Sequence, residues 1–191
     1  MNLDTTAISD LTTPWTPRNY LRVTPLAHAA TPLGMGFGQT RFASPSKAFR
    51  VLYIAKTLRA AVAETIVRDR FVARARRRLT EDEIDDWGVT LVAASNPLQM
   101  LDLRSTGCLE LGIPTDVIGA KSHRQGRRFS EALYAAAPAI DGILYPSRLT
   151  KDICVAVYDR AVSKLSAGPV LPLIAQPNLI AVLTGLKIQT V

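Results

Sequence analysis

Short apolar runs separated by glycine, proline and polar turns recur along the chain, and several have the composition of buried β-strands. The runs are YLRVTPL (20–26), RVLYIA (50–55), GVTLVAAS (88–95), QMLDL (99–103), GILYPS (142–147) and ICVAVYD (153–159). The Asn96-Pro97 turn between the third and fourth runs predicts that these two strands pair with each other. A polar turn likewise predicts pairing of the last two, and KIQTV (187–191) predicts a final strand.

Helical periodicity begins directly after the second of these strands. Thr57 is placed to cap a helix whose apolar stripe runs through Leu58, Val62 and Ile66. Glu64 lies beside that stripe, flanked by alanines, so a ligand could approach its carboxylate. Further helices are predicted after Thr80, across residues 115–138 with a possible break at a glycine, and after Pro177. The break is assigned to Gly126.

Strands and helices alternate without regular βαβ units, which favours an α+β fold over a doubly wound sheet. A chain of 191 residues has the length of one sizeable core, and neither a repeat nor a linker divides it, so we predict a single domain over residues 1–191. Residues 1–20 contain Pro14 and Pro17 and are predicted to form an irregular N-terminal extension or wrap.

Composition argues against several kinds of protein. The longest apolar stretches are interrupted before the roughly 18 residues that a membrane helix needs, and the first residues do not resemble a secretory signal, so a cytoplasmic protein is expected. Cys108 and Cys154 are predicted to be buried free thiols. His28 and His123 have no metal-ligand spacing, so no metal site is expected.

The formal charge of +7 and the pI of 9.8 allow a nucleic-acid-binding module as one interpretation. The positive charge is concentrated in residues 68–78 and 121–128, and the acidic run EDEIDD (81–86) follows the first of these. A basic run followed by an acidic one is more typical of a solvated, locally paired surface than of a DNA groove. The two interpretations remain open at this stage.

Four polar residues occupy positions where an apolar residue would pack better, beside glycine turns or within apolar segments. They are Arg41, Tyr53, Glu64 and Ser147. Each has an ordinary structural explanation when taken alone, as a surface charge, a core aromatic, a solvated helix residue and a turn hydroxyl. Their order and spacing make a functional constellation the stronger interpretation.

With these residues in order, the sequence resembles the RES-domain family, toxins of bacterial RES/Xre-type toxin-antitoxin modules. The similar segments are GFGQTRFASPSKAFRVLYIAKTLRAAVAETIVRD, LQMLDLRS, FSEALYAAAPAIDGILYPSR and CVAVYDR, which fall within about residues 33–160. The ordered set Arg, Tyr, Glu and a serine in a DGI.Y.S context carries the resemblance.

The resemblance implies a single RES domain with an ADP-ribosyltransferase-like fold of mixed β-sheets and flanking helices. It also implies a toxin that consumes NAD by cleaving the nicotinamide–ribose bond, through hydrolysis or phosphorolysis, or an enzyme that transfers ADP-ribose to a protein. NAD would be the substrate, and no cofactor would be required. The implied partner is a cognate Xre-like helix-turn-helix antitoxin, through which alone the complex would contact DNA, with no membrane association.

The four residues suit that chemistry. Breaking the bond builds positive charge on the ribose, which a carboxylate such as that of Glu64 stabilises. Arg41 offers a planar donor fork to the pyrophosphate, and Tyr53 can stack on the nicotinamide ring or contact the ribose. Ser147 is expected to donate to the ribose or a phosphate.

Overall fold

The computed structural model describes residues 3–71, 74 and 76–191, without the side chain of residue 69. Its strands are β1 (Thr12–Trp15), β2 (Tyr20–Pro25), β3 (Val51–Ala55), β4 (Arg77–Leu79), β5 (Trp87–Ala94), β6 (Leu98–Asp102), β7 (Gly142–Pro146), β8 (Ile153–Tyr158), β9 (Leu165–Ala167), β10 (Leu171–Pro172) and β11 (Ile188–Thr190). Its α-helices are α1 (Thr5–Asp10), α2 (Leu58–Val62), α3 (Arg68–Arg70), α4 (Glu81–Asp85), α5 (Gly107–Glu110), α6 (Asp116–Gly119), α7 (Arg124–Ala136) and α8 (Leu179–Gly185). A π-helical segment, Ala63–Val67, joins α2 to α3, and short 3₁₀ turns cover Leu26–His28, Asp159–Lys164 and Leu173–Ala175.

Nine strands of the described chain form one mixed sheet in the order β1-β6-β7-β8-β3-β2-β5-β10, with β9 also pairing with β5. Strands β6 and β7 are parallel, and the other neighbours in this sheet are antiparallel. Strands β4 and β11 form a separate parallel pair. The predicted α+β class, a mixed sheet with flanking helices in a single domain, is confirmed.

Two predictions about the sheet and the N-terminal segment were wrong. The N-terminal segment is not irregular, because Asp4 caps helix α1 and strand β1 then pairs with β6 along the sheet edge. Strands β5 and β6 do not pair with each other, although a turn separates them. Strand β5 pairs with β2 over six residues, whereas β6 lies between β1 and β7. A turn in the sequence indicates that the chain changes direction, but it does not determine which strand pairs with which.

The two faces of the sheet carry separate cores, because alternate residues of a strand point to opposite sides. In β3, Val51 and Ala55 belong to the larger core beneath the helices, and Tyr53 packs against it. Leu52 and Ile54 belong to a smaller core on the other face. Strand β3 therefore presents the Tyr53 side chain on the face that carries α2 and the π-helical segment.

The sheet splits between β2 and β3. In the described residues these strands share one register pair, Leu21 with Ala55, whereas β3 pairs with β8 over five residues. Beyond that point the two strands diverge and leave a cleft in the middle of the sheet.

The predicted β7–β8 hairpin, the helix after Pro177 and the last strand are confirmed.

Helix α2 begins where the sequence predicts, since the Thr57 hydroxyl accepts a hydrogen bond from the backbone N–H of Ala60 at 3.1 Å. The predicted break at Gly126 was wrong, because that glycine lies inside α7. None of the helices in the described chain has the length and apolar character needed to cross a bilayer.

Candidate active site

Glu64 lies in the π-helical segment Ala63–Val67 that continues helix α2. Single π-turns of this kind occur often at functional sites, because the extra residue per turn changes where a side chain projects. The Glu64 carboxylate is half-buried, and its Oε1 accepts a hydrogen bond of 2.7 Å from the Ser147 hydroxyl. The fold therefore joins two predicted residues that are 83 positions apart in the chain.

Ser147 is fully buried at the end of strand β7. Its oxygen accepts hydrogen bonds of 3.1 Å from the backbone N–H groups of Leu149 and Thr150, and its own hydrogen goes to Glu64. We expected this hydroxyl to donate to a ribose or a phosphate. In this structure it lies behind the carboxylate and fixes the position of that carboxylate.

Tyr53 holds the loop that carries Arg41. The Tyr53 hydroxyl oxygen accepts hydrogen bonds of 2.9 Å from the Thr40 hydroxyl and from the backbone N–H of Phe42. These two partners flank Arg41 in sequence. Burial raises the pKa of the Tyr53 phenol, so the side chain is a neutral hydrogen-bonding group at neutral pH.

Arg41 is 5% exposed and is held between the loop and α7. Its Nη2 donates to the carbonyl of Ala120 at 2.9 Å, and burial lowers the pKa of its guanidinium. A Cβ added at Gly126 would lie 2.6 Å from the Arg41 carbonyl oxygen, so α7 approaches this closely because residue 126 is glycine. Among the described residues, no hydrogen-bond partner reaches Arg41 Nη1.

Tyr53 and Glu64 share the wall of a cavity of about 200 Å³ in the cleft between β2 and β3. The cavity is lined by Arg22, Val23, Met35, Gly36, Thr40, Val51, Tyr53, Glu64, Thr65, Arg68 and Tyr145. A recess of about 20 Å³ adjoins it and reaches Cys154. Arg41 and Ser147 do not line these two cavities. Ser147 binds Glu64 directly, and Arg41 lies in the chain between Thr40 and Phe42, which bind the Tyr53 hydroxyl.

Arg22, in strand β2, is the functional candidate that the sequence reasoning missed. It lines the cavity, its Nη2 donates to the Gly34 carbonyl at 2.6 Å, and burial lowers the pKa of its guanidinium. Its Nη1 is buried and has no hydrogen-bond partner among the described residues. The available signal was an arginine in the middle of the apolar strand YLRVTPL, where a core residue would be expected.

The two cysteines are buried free thiols, as predicted. Burial and then the neighbouring Glu64 carboxylate raise the pKa of the Cys154 thiol, which keeps it protonated and a poor nucleophile. Burial likewise raises the pKa of Tyr145 well above its usual range. Cys154 and Tyr145 therefore stay uncharged, and Glu64 is the acidic residue among the described residues that line the cleft.

Of the described residues in the first basic run (68–78), Arg68 lines the cleft and the others do not. Arg76, Arg77, Arg78 and Lys187 line an open groove of about 980 Å³, which is larger than the cleft cavities and shares no lining residue with them. Arg70 forms an ion pair with Glu83, in agreement with the predicted local pairing of the basic and acidic runs. Residues 72, 73 and 75 of the run lie outside the described residues.

The second basic run, residues 121–128, has a partly structural role. Arg127 donates to the carbonyls of Ala43 and Ser44 at 3.2 and 3.3 Å and so fastens α7 to the loop beyond Arg41. A side chain used in this way is not available to a phosphate backbone. Arg127 is therefore removed from the nucleic-acid interpretation, whereas Lys121, Arg124 and Arg128 are exposed, as are Arg76 and Arg78 in the open groove.

Comparison with known proteins identifies the family. The RES domain model matches residues 14–176, which is most of the chain and includes all four predicted site residues and Arg22. The chain belongs to the RES domain family. The match is longer than the stretch of about residues 33–160 on which the resemblance rested, because it begins at the end of strand β1 and includes β2, β9 and β10.

One relative in this family is named "Probable toxin y4kH", from Sinorhizobium fredii (strain NBRC 101917 / NGR234). It is 41% identical over 92 residues, which cover 47% of this chain and 72% of the relative. Among solved structures, a chain of the M. tuberculosis MbcT-MbcA toxin-antitoxin complex superposes with a TM-score of 0.66 at 17% identity. That alignment covers 96% of this chain and 98% of the other, so the two share a fold over their whole length.

Proposed function

We propose that this RES-domain protein is the toxin of a toxin-antitoxin module and that it consumes NAD by cleaving the nicotinamide–ribose bond. The observation that carries the proposal is the Glu64 carboxylate, fixed by Ser147 at 2.7 Å, on the wall of a cavity that also presents Tyr53 and Arg22. The names of the relatives support the toxin role.

Glu64 has the properties that this cleavage needs. As the bond between nicotinamide and ribose lengthens, its electron pair moves to the nicotinamide nitrogen and the ribose becomes an oxocarbenium-like cation. A carboxylate held in a partly buried cavity stabilises that cation without having to reorganise. Ser147 fixes one carboxylate oxygen, which leaves the other oxygen to face the substrate.

No strong acid is required for the departure of the leaving group. Nicotinamide carries a positive ring nitrogen in NAD and becomes neutral when it accepts the bonding electrons. The acceptor then forms a bond to the anomeric carbon: water adds with release of a proton and gives ADP-ribose, whereas phosphate gives ADP-ribose phosphate. The protein's own contribution is therefore electrostatic stabilisation and orientation, and no cofactor is part of the proposal.

The cations around the cleft suit the dianionic pyrophosphate of NAD. Arg22 lines the cavity and has a buried guanidinium nitrogen without a hydrogen-bond partner among the residues that the structure describes, and Arg41 has another. A buried donor left unpaired costs about 1–3 kcal/mol, and a phosphate oxygen would recover part of that cost. We assign Arg22 to the pyrophosphate as the first contact. Arg41 is a second cation, which does not line the cavity and lies in the loop that Tyr53 holds through Thr40 and Phe42.

The partner is proposed to be an Xre-like helix-turn-helix antitoxin encoded beside this gene. It would block the cleft and supply the DNA contact of the complex, and the toxin would act on NAD in the cytoplasm. Binding of the neighbouring gene product to this chain, together with restored growth on co-expression, is the expected result. A neighbouring product that neither binds nor restores growth would contradict the module.

A nucleotide assay tests the reaction directly. Purified protein is incubated with NAD in buffers with and without phosphate, and nicotinamide, ADP-ribose and ADP-ribose phosphate are separated by chromatography. Release of nicotinamide by the wild type but not by Glu64→Gln is the expected result. Adenylate-labelled NAD added to a cell lysate tests the alternative acceptor, because label that becomes attached to a protein would instead indicate an ADP-ribosyltransferase. No nicotinamide release in any of these reactions would refute the proposal.

A further inference from the structure

A second cavity, the outer cavity, adjoins the cavity of about 200 Å³ that Tyr53 and Glu64 line, which we call the catalytic cavity. It measures about 480 Å³, a size in the range of about 300–1,000 Å³ that small-molecule sites occupy. Its lining residues are Arg22, Val23, Thr24, Pro25, His28, Thr31, Gly34, Met35 and Gly36. Arg22, Val23, Met35 and Gly36 also line the catalytic cavity, so the two form one groove.

The order of groups along this groove is fixed by its walls. Glu64 lines the inner cavities and not the outer one, whereas Arg22 lines all of them. His28 and Thr31 line only the outer cavity. A ligand that follows the groove therefore has the carboxylate at the inner end, the arginine beside both cavities, and a chamber with a histidine and a threonine at the outer end.

NAD has the same order. Its scissile bond adjoins the nicotinamide ribose, the pyrophosphate comes next, and adenosine is at the far end. If the scissile bond lies at Glu64 and the pyrophosphate at Arg22, the adenosine must lie on the side away from Glu64. On the basis of the proposed NAD cleavage, we propose that the outer cavity binds the adenosine end of the dinucleotide.

The walls of the outer cavity fit a purine nucleoside. Val23, Pro25 and Met35 supply apolar surface for the flat faces of the base, and Met35 packs against the smaller core, which makes that wall firm. Thr31 and His28 supply polar groups at the exposed rim. Apolar walls with a few polar groups are the usual composition of a small-molecule site.

Two glycines of one loop, Gly34 and Gly36, line the outer cavity. A Cβ added at Gly34 would lie 2.9 Å from the Thr31 carbonyl oxygen, so the loop turns tightly there because that residue is glycine. At Gly36, which lines both cavities, an added Cβ would meet no atom within 4 Å. The space beside Gly36 is where the chain of the dinucleotide would pass from one cavity to the other.

The test compares two substrates that contain the same scissile bond, NAD and nicotinamide mononucleotide, in wild type and Thr31→Trp. Thr31 is exposed at the outer rim, so the new ring occupies the outer cavity without entering the core. Thr184→Trp is the matched control, because Thr184 is exposed in the distant basic groove. We expect the KM for NAD to rise about tenfold or more in Thr31→Trp, with turnover of the mononucleotide unchanged and Thr184→Trp like the wild type. Equal changes for both substrates, or no change for either, would overturn the assignment.

A binding measurement separates this inference from the cleavage reaction itself. AMP is titrated calorimetrically into wild type, Thr31→Trp and Thr184→Trp, with melting curves to show that each variant is folded. Binding to the wild type and Thr184→Trp that is lost in Thr31→Trp supports the adenosine cavity even if no preparation cleaves NAD. Absence of AMP binding to the wild type, or binding unaffected in Thr31→Trp, refutes the adenosine cavity even if NAD is cleaved.

Discussion

Glu64→Gln is the substitution that most directly tests the catalytic assignment. It keeps the size of the side chain and an oxygen that can accept the 2.7 Å hydrogen bond from Ser147, while it removes the negative charge. A hydrogen bond to a charged group contributes about 1.5–3 kcal/mol and a neutral one about 1 kcal/mol. We therefore expect a loss of about 1 kcal/mol in the free energy of unfolding, or about 2–4 °C in Tm for a chain of this length.

The catalytic effect should be much larger. The ribosyl cation exists in the transition state and not in bound NAD, so the carboxylate contributes mainly to the barrier. Removing one preorganised electrostatic group lowers kcat by about a hundredfold to a thousandfold, equivalent to about 2.7–4 kcal/mol, with little change in KM. The assay is the initial rate of nicotinamide release over a range of NAD concentrations, with a melting curve on the same preparation.

Glu131→Gln is the matched control. The Glu131 carboxylate is also half-buried and accepts a serine hydrogen bond of 2.7 Å, from Ser44, but it lies outside the cleft walls. It also accepts hydrogen bonds from the hydroxyl and the backbone N–H of Ser46. Glu131→Gln should therefore lose at least as much stability as Glu64→Gln and keep wild-type turnover. Wild-type turnover in a folded Glu64→Gln variant would refute the catalytic role, and an equal fall in both variants would show that turnover follows stability instead.

The remaining predictions concern the groups around Glu64. Ser147→Ala removes the hydrogen bond to the Glu64 carboxylate and leaves two backbone N–H groups unpaired. The kcat should therefore fall about tenfold to a hundredfold, with KM little changed. A change in Tm without a change in kcat would show that Ser147 has only a structural role. Arg22→Lys keeps the charge but loses the planar fork, so the KM for NAD should rise about tenfold to a hundredfold; an unchanged KM would remove Arg22 from the phosphate role. Charge reversal at Arg76 and Arg78, both exposed in the basic groove, should leave NAD turnover intact; if turnover disappeared from the folded protein, that groove would belong to the site.

The local pattern of the sequence was sufficient to predict those structural elements that depend on interactions between residues close together in the chain. The Thr57 cap, the helix that begins after Thr80 and the β7–β8 hairpin each involve residues close together in the chain, and all were predicted. Residue type and order also identified Tyr53 and Glu64, which share a cavity wall. A carboxylate among alanines is unusual enough on local grounds to be noticed without knowledge of its partners.

Tertiary structure decided everything that depends on contacts between distant segments. The sequence did not show that the Ser147 hydrogen goes to Glu64, because the partners are 83 residues apart and each is explained locally as a turn hydroxyl or a helix charge. It did not identify Arg22, whose importance follows from the split between β2 and β3 that places a strand residue in a cleft. It placed β6 beside β5, whereas β5 forms a six-residue ladder with β2. Strand partners are chosen by the total pairing and burial of the sheet, and a short window of sequence contains only one side of each such contact.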